Sequence, residues 1–386
     1  MQGEVLYLLE IVKWVLSNQE EKLSLPDINL DWKRMLMIAE RHNILNMVYY
    51  AVESPMVEVK LEGENYAYLR DKTLCEIARC YNQIKAQEEL VQTCEAEGVC
   101  TLFVKGVSTK SHYPTPDMRT MGDIDFLYKP EQHKQLKQTM KYLGYTDYQE
   151  GRKNDTYFRE PYICVEAHRQ LVSPDSEYFF YYENIWSQAR LKVGCTYSYE
   201  LTVEDELIFN IVHLAEHFKE GGAGIRFIMD VYVYNRLKLD RDYILAKLKG
   251  LKLLDFYTNI SRLAEYWFGD GKPDMKHDSF DLMEQLEKFI LSNGVFGNRE
   301  DSANLAVSDG KLMFVIKICF PSYVDMCSMF PWLSKMPFLL PFSWLLRAVR
   351  SLIYRKNNVQ LQFKALKNGN QEKGKALRKF YKQCGL

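Results

Sequence analysis

Two aspartates one residue apart, Asp123 and Asp125, stand in the otherwise apolar stretch DIDFLY. On a strand, residues i and i+2 face the same way, so both carboxylates project together while Ile124 and Phe126 turn to the core. Carboxylates held that close repel, and both ionise only with a cation between them. Mg²⁺ takes carboxylate oxygens, waters and substrate phosphates. Two such ions can activate an attacking oxygen and stabilise a leaving one in phosphoryl transfer. A third acid stands in ICVEAH, where Ile163, Val165 and Ala167 alternate with Cys164, Glu166 and His168. If that strand lies beside 123–127, Glu166 completes a carboxylate triad and His168 shares its face. Upstream come Lys105, Gly106, Ser108 and Arg119. Lysine and arginine supply charge to phosphate groups, arginine through a two-pronged fork.

These side chains need a sheet to hold them. The short apolar run VCTLFVKG ends in glycine, and DIDFLY, DTYFRE and YICVEAHRQLV read as further strands, with the turn-prone GRKND before DTYFRE. YKPEQHKQLKQTMKYLGY reads as a helix closed by Gly144. Helical spacing of apolar residues marks the first hundred positions, including a long helix from about Asn65 to Glu97. It returns after Thr202 in VEDELIFNIVHLAEHF and IRFIMDVYVYNRL and dominates to the end. The expected architecture is α+β and helix-dominated, a small mixed sheet between two helical regions. The expected segments are a helical region 1–97, the sheet core 98–200, a helical domain 201–310 packing on it, and a basic helical tail 311–386.

Composition narrows the partners. The chain has 386 residues, 47% hydrophobic and 26% charged, and is built to bury a core. Its net charge of −1 excludes a bulk polyanion binder, and the core lacks the basic surplus a long nucleic acid needs. Nine scattered cysteines, without paired zinc spacing, read as reduced thiols. Glu4 and Glu10 break any signal-peptide pattern, and no uncharged apolar run has spanning length, so the expected location is cytoplasmic. Between Arg347 and Leu386, eleven lysines and arginines meet a single acid, Glu372. In 336–356 Trp344, Leu345, Val349 and Leu352 recur near helical spacing, interleaved with Arg347, Arg350 and Arg355. Lys356, Lys364, Lys367 and the 373–382 cluster follow, which leaves two readings of residues 336–386: an apolar stripe packed on the protein's own core under a solvated basic face, or peripheral contact with the anionic inner face of a membrane.

His213 and His217 lie at i, i+4 on a helix and face one way. That spacing permits a transition-metal site, packing, or the lining of a pocket. The segment is HLAEH, not HExxH, so a metalloprotease is excluded. Arg226 and Asp230 share the same spacing and read as a structural ion pair. EGGAG at 220–224 joins two helices and lacks the preceding strand of a phosphate-binding loop.

The order strand, Gly-x-Ser, spacer, Asp-x-Asp and later strand carboxylate resembles the polymerase-beta-type nucleotidyltransferase superfamily. The spelling K-G-x-x…Y-P…R-x-M-G-D-I-D-F-L followed by V-E-x-H is similar to a bacterial branch, the "uncharacterised nucleotidyltransferase" family, associated with polysaccharide or peptide modification. The motif-bearing match covers about 98–240, and the H-x-x-x-H helix and R-F-I-x-D segment fit the same branch. The resemblance implies that Asp123, Asp125 and Glu166 bind Mg²⁺ or Mn²⁺ and that Glu166 also orients or deprotonates the acceptor. It implies that Lys105, Gly106, Ser108 and Arg119 hold the phosphates of a nucleoside triphosphate, with His168, His213 and His217 lining the pocket. Here Val107 separates Gly106 from Ser108, where the family has adjacent Gly-Ser or Gly-Gly. The implied activity is transfer of a nucleoside monophosphate to a hydroxyl or phosphate acceptor. The alternative is a non-catalytic nucleotide-binding scaffold of the same fold.

Overall fold

The computed structural model describes residues 3–17, 22–23, 30–58, 61–150, 154–220, 222–271, 277–294, 299–354, 360 and 364–386. Arg355, Lys356 and residues 151–153 of the GRKND turn lie outside them. Residues 1–215 and 224–295 form one compact unit, and residues 216–223 and 296–386 form another.

The first unit carries the sheet. Strands β1 (Thr101–Phe103), β2 (Ile124–Tyr128), β3 (Asp147–Glu150), β4 (Asn154–Arg159), β5 (Ile163–His168), β6 (Arg190–Leu191) and β7 (Ser198–Glu200) run in the order β3-β4-β5-β2-β1-β7-β6. β2 pairs antiparallel with β1 and parallel with β5, so the sheet is mixed as expected. Three strands escape the sequence reading: β3, β6 and β7 are short and polar, and carry no apolar alternation.

Helices α1 (Gly3–Leu16), α2 (Trp32–Arg41) and α3 (Leu45–Glu53) precede the 35-residue α4 (Gly63–Glu97). α4 stops at Gly98, whose φ of 72° is a left-handed cap that glycine adopts without strain. The Glu95 carboxylate then accepts from the Tyr197 amide at 3.0 Å and the Ser198 hydroxyl at 3.0 Å, fastening β7 to the end of α4. Ala86, Leu90 and Cys94 of α4 meet Ile124, Phe126 and Tyr128 of β2 and Ile163, Val165 and Ala167 of β5, in a core shared with Leu136 and Met140 of α6 (His133–Tyr142). Strand alternation therefore turns Asp125, Glu166 and His168 to the opposite face.

On that side the chain leaves β1 through a four-residue turn of helix, α5 (Gly106–Thr109). After α7 (Phe179–Tyr182) come α8 (Val203–Lys219) and α9 (Ile225–Asn235). Asn210 Nδ2 of α8 donates to Thr109 Oγ1 at 2.9 Å, so α5 is tied to the helices that follow the sheet. The long connection from α5 to β2 is pinned from the other direction. Asn46 Nδ2 donates to the Asp117 carbonyl at 2.5 Å, Thr120 Oγ1 to the Asn43 carbonyl at 3.1 Å, and Gln83 Nε2 to the Met121 carbonyl at 3.2 Å. The spacer before the Asp-x-Asp is thus an ordered wall. Helices α10 (Arg241–Gly250), α11 (Leu254–Phe268) and α12 (His277–Asn293) complete the unit. Contacts of α1 with both α3 and α11 bring the N-terminal helices and those after the sheet into one body.

The second unit contains α13 (Arg299–Ala306), α14 (Lys311–Cys319), α15 (Tyr323–Met329), α16 (Leu340–Tyr354) and a closing helix Gln371–Cys384. α13 packs on the closing helix. Gly374 allows the approach: a Cβ there would lie 2.1 Å from the Asn304 carbonyl oxygen. Among the described residues no helix is long and apolar enough to cross a membrane.

Candidate functional site

Parallel pairing sets Asp125 opposite Glu166 and Leu127 opposite His168. Asp125, 5% exposed, receives two donors on Oδ1: Lys105 Nζ at 2.5 Å and His168 Nε2 at 2.7 Å. Glu166 Oε2 lies 3.5 Å from the same imidazole nitrogen. One ligand atom from each of Asp125, Glu166 and His168 falls within 4.8 Å of the others, close enough to share one cation. Among the described residues this is the one such group.

Asp123 stands just before β2, half-buried. Burial, then the Asp125 charge, pushes its carboxyl above the ordinary range, with Lys105 and Arg226 opposing. Asp125 goes the other way. Burial works against its charge, but Lys105 and the His168 bond hold it well below the usual carboxylate range. Cys164 registers the same space: burial, followed by the charges of Asp123, Glu166 and Asp125, pushes its thiol up to about 12. The expected ligand set was Asp123, Asp125 and Glu166. The geometry gathers Asp125 and Glu166, adds His168 from the same strand face, and leaves Asp123 outside that group but within reach of its field.

Lys105 is placed by an unusual backbone, φ 60° and ψ −130°, between β1 and α5. Burial pulls its ammonium down, yet attraction to Asp125, with Asp123 and Glu166 behind it, outweighs that and holds it raised. Gly106 follows because a Cβ there would meet Met121 Cβ at 3.2 Å and Arg119 Nη1 at 3.5 Å. Ser108 Oγ donates to the Lys105 carbonyl at 3.2 Å, so this hydroxyl caps its own turn.

Arg119 is not turned to an open phosphate site. Its Nε donates to both Asp230 oxygens, at 2.7 and 3.0 Å, and Nη1 to the Thr120 carbonyl at 2.7 Å. Tyr113 Oη adds a third bond to Asp230 at 2.6 Å. All three residues are buried. This triad locks the wall before β2 onto α9. Spacing alone paired Asp230 with Arg226, but the carboxylate is taken by an arginine 111 positions away. Arg226 Nη1 donates instead to the Thr120 carbonyl at 2.9 Å.

The i, i+4 histidines share α8, and neither reaches the carboxylates. His213 sits among aromatics in the first unit, ring centroids 6.4 Å from Phe209 and 6.2 Å from Phe227. His217 belongs to the second unit, where its carbonyl accepts from the Glu220 and Gly222 amides and closes α8. Neither is in the Asp125–Glu166–His168 group. Sequence reasoning gave Asp230 a structural role but missed its partners, Arg119 and Tyr113; the conspicuous signal was a buried-looking aspartate on the apolar helix IRFIMDVYVYN.

The site donors fit a divalent cation. Two carboxylates and an imidazole converge, and Asp125 already holds a cationic group in the Lys105 ammonium. Carboxylate oxygens suit Mg²⁺ and Mn²⁺, and the nitrogen donor favours the transition ion. A family model described as uncharacterised nucleotidyltransferase matches residues 29–269, more than half of the chain and all of the sheet. No curated protein and no solved structure matches.

Proposed function

The chain belongs to the uncharacterised nucleotidyltransferase family, and from that premise we propose that it moves a nucleoside monophosphate from a nucleoside triphosphate to a hydroxyl or phosphate acceptor, with Mg²⁺ or Mn²⁺ as cofactor. The observation that carries this is the convergence of Asp125, Glu166 and His168 on one sheet face beside Asp123. Asp125 and Glu166 would hold the ion, with His168 and Asp123 at its margin. When bound, the ion supplies positive charge to the phosphoryl oxygens. Lys105 uses one ammonium proton on Asp125 and keeps two for phosphate oxygens. Glu166, more exposed than Asp125, is the carboxylate an acceptor hydroxyl reaches, and it orients that hydroxyl or takes its proton. Arg119 serves by position: its pair with Asp230 holds the wall that delivers Asp123.

Incubation with α-labelled nucleoside triphosphates, Mg²⁺ or Mn²⁺ and a mixed pool of sugar phosphates, lipid-linked glycans and peptides should transfer label only with the ion present. Transfer unaffected by chelation would refute the assignment. One observation favours the second, non-catalytic reading, namely the Lys105–Asp125 ion pair, in which protein charge already neutralises the carboxylate. Ion-dependent nucleotide binding without release of pyrophosphate across that pool would select it.

For residues 336–386 the proposed partner is an anionic membrane surface. Support comes from α16, which exposes Phe342, Leu345, Leu346 and Val349, with Leu345 at 61%, and from exposed Arg350, Lys364 and Lys367. Trp344 is half-buried, its indole donating to the Pro321 carbonyl at 3.0 Å. Part of the basic cluster is spent inside the unit, Lys373 on Glu300 and Arg378 on Asp309. Flotation with phosphatidylserine vesicles at low salt should show binding that Leu345→Glu with Phe342→Glu removes. Equal flotation with neutral vesicles would reject the electrostatic part, and no flotation would reject the surface.

A further inference from the structure

We propose that Arg226 is the arginine that binds the polyphosphate of the nucleoside triphosphate, the place sequence reasoning gave to Arg119. The proposal rests on the nucleotidyltransferase reading for the identity of the anion, and on geometry for the existence of the site.

Arg226 is the second residue of α9, one turn before Asp230. Helical spacing offers it that carboxylate, but both Asp230 oxygens are occupied by Arg119 and one also by Tyr113. Arg226 is left with the Thr120 carbonyl, a neutral acceptor, and the Phe227 ring, whose centroid lies 5.7 Å from its guanidinium carbon. Its Nε is shut off from solvent and meets no acceptor. Among the described residues no carboxylate lies within ion-pair distance of its guanidinium. A cation so enclosed and so poorly compensated is costly, although the residue as a whole is half-buried. The N-terminal end of an 11-residue helix adds further positive potential at the same place. Burial, then the like charge of Arg119, pushes the guanidinium down to about 9, which an arriving anion would reverse.

The location ties this charge to the reaction. Arg226 and Lys105 are the two cations that ease the charge on Asp123. One is bonded to Asp125 and the other to Thr120, three residues before Asp123. A chain of phosphates beside the carboxylates therefore has a positive group at two points, with an ion as a third. A phosphomonoester reaches fewer of them, which is why the triphosphate donor is favoured over a phosphorylated acceptor.

Calorimetry with inorganic tripolyphosphate and Mg²⁺ on the full chain tests this without any turnover. Arg226→Gln should weaken binding about 10- to 100-fold, the loss of a charged hydrogen bond. Arg226→Lys should recover part of it, since a point charge replaces a fork. Thermal midpoints should stay level or rise in Arg226→Gln, because an uncompensated buried charge is removed. Phenyl phosphate should bind weakly and respond less. The proposal is overturned if Arg226→Gln binds tripolyphosphate like the wild type, if the wild type does not bind it, or if only phenyl phosphate binding changes. It is also overturned if Arg226→Lys, folded by its midpoint, binds no better than Arg226→Gln. Loss of tripolyphosphate binding in Arg226→Gln in a protein that transfers no nucleotide keeps the anion site and rejects the nucleotidyltransferase reading. Nucleotide transfer with unchanged tripolyphosphate binding in Arg226→Gln does the reverse.

Discussion

Asp125→Asn is expected to cut nucleotide transfer about a thousandfold, the scale of losing a centrally placed electrostatic group in a closed site. Asp125 carries the strongest case among the acids because two donors converge on one of its oxygens and Glu166 sits directly across the strand pair. The substitution also removes the partner of a buried ammonium, so stability should fall. The parallel change Asp123→Asn should impair transfer too, yet leave stability level or slightly raised. The signs follow from the two carboxyls. Asp125 is held low in the folded chain, so its contribution is present above the ordinary carboxylate range and is lost as pH falls through its folded value. Asp123 is held high, so its charge opposes folding at neutral pH. Label-transfer rates and thermal midpoints read both effects. Wild-type transfer in Asp125→Asn would remove the residue from the reaction.

Asp230→Ala is expected to be the most destabilising of the single changes considered, by about 3–5 kcal/mol, the cost of leaving one partner of a buried pair uncompensated. Arg119 is 6% exposed and Asp230 5%, and Tyr113 would lose its acceptor as well. Replacing the pair together, Arg119→Met with Asp230→Leu, should restore much of the loss. Urea denaturation of the wild type, Arg119→Met, Asp230→Leu and the double variant gives the cycle, with Asp230→Ala measured alongside. A loss below about 1 kcal/mol in Asp230→Ala would mean that the wall before β2 is held by its other bonds, and that Arg119 is free for a ligand.

How much of this was legible depends on the range over which each feature is specified. The long helix to Glu97, the strand with the two aspartates and the alternation around Glu166 are local patterns, and the structure follows them closely. That Glu166 would face Asp125 needed only the guess that β5 lies beside β2, which the pairing bears out. β7 was not legible, since its three residues are fixed by Glu95 across a distance of about a hundred positions. The Arg226–Asp230 pairing was misread because helical spacing states who can meet, not who competes. Gly106 was read as a phosphate contact, and the structure adds a packing reason for a small residue there, since a Cβ would press on Met121 Cβ at 3.2 Å. His213 and His217 keep their shared helix, but neither joins the Asp125–Glu166–His168 group.

The parallel register of β2 and β5 has an evolutionary corollary. Because strand side chains alternate, a slip of one residue would present Val165 or Ala167 to Asp125 and send Glu166 beneath α4. The site therefore tolerates no insertion or deletion within either strand, and its chemistry can drift only by substitution. The stretch between Tyr128 and Asn154 lies outside that register, whereas β4 pairs with β5 along its whole length. Homologues should accordingly differ in length between Tyr128 and Asn154 while keeping β2, β4 and β5 gap-free, a pattern of variation written by geometry alone.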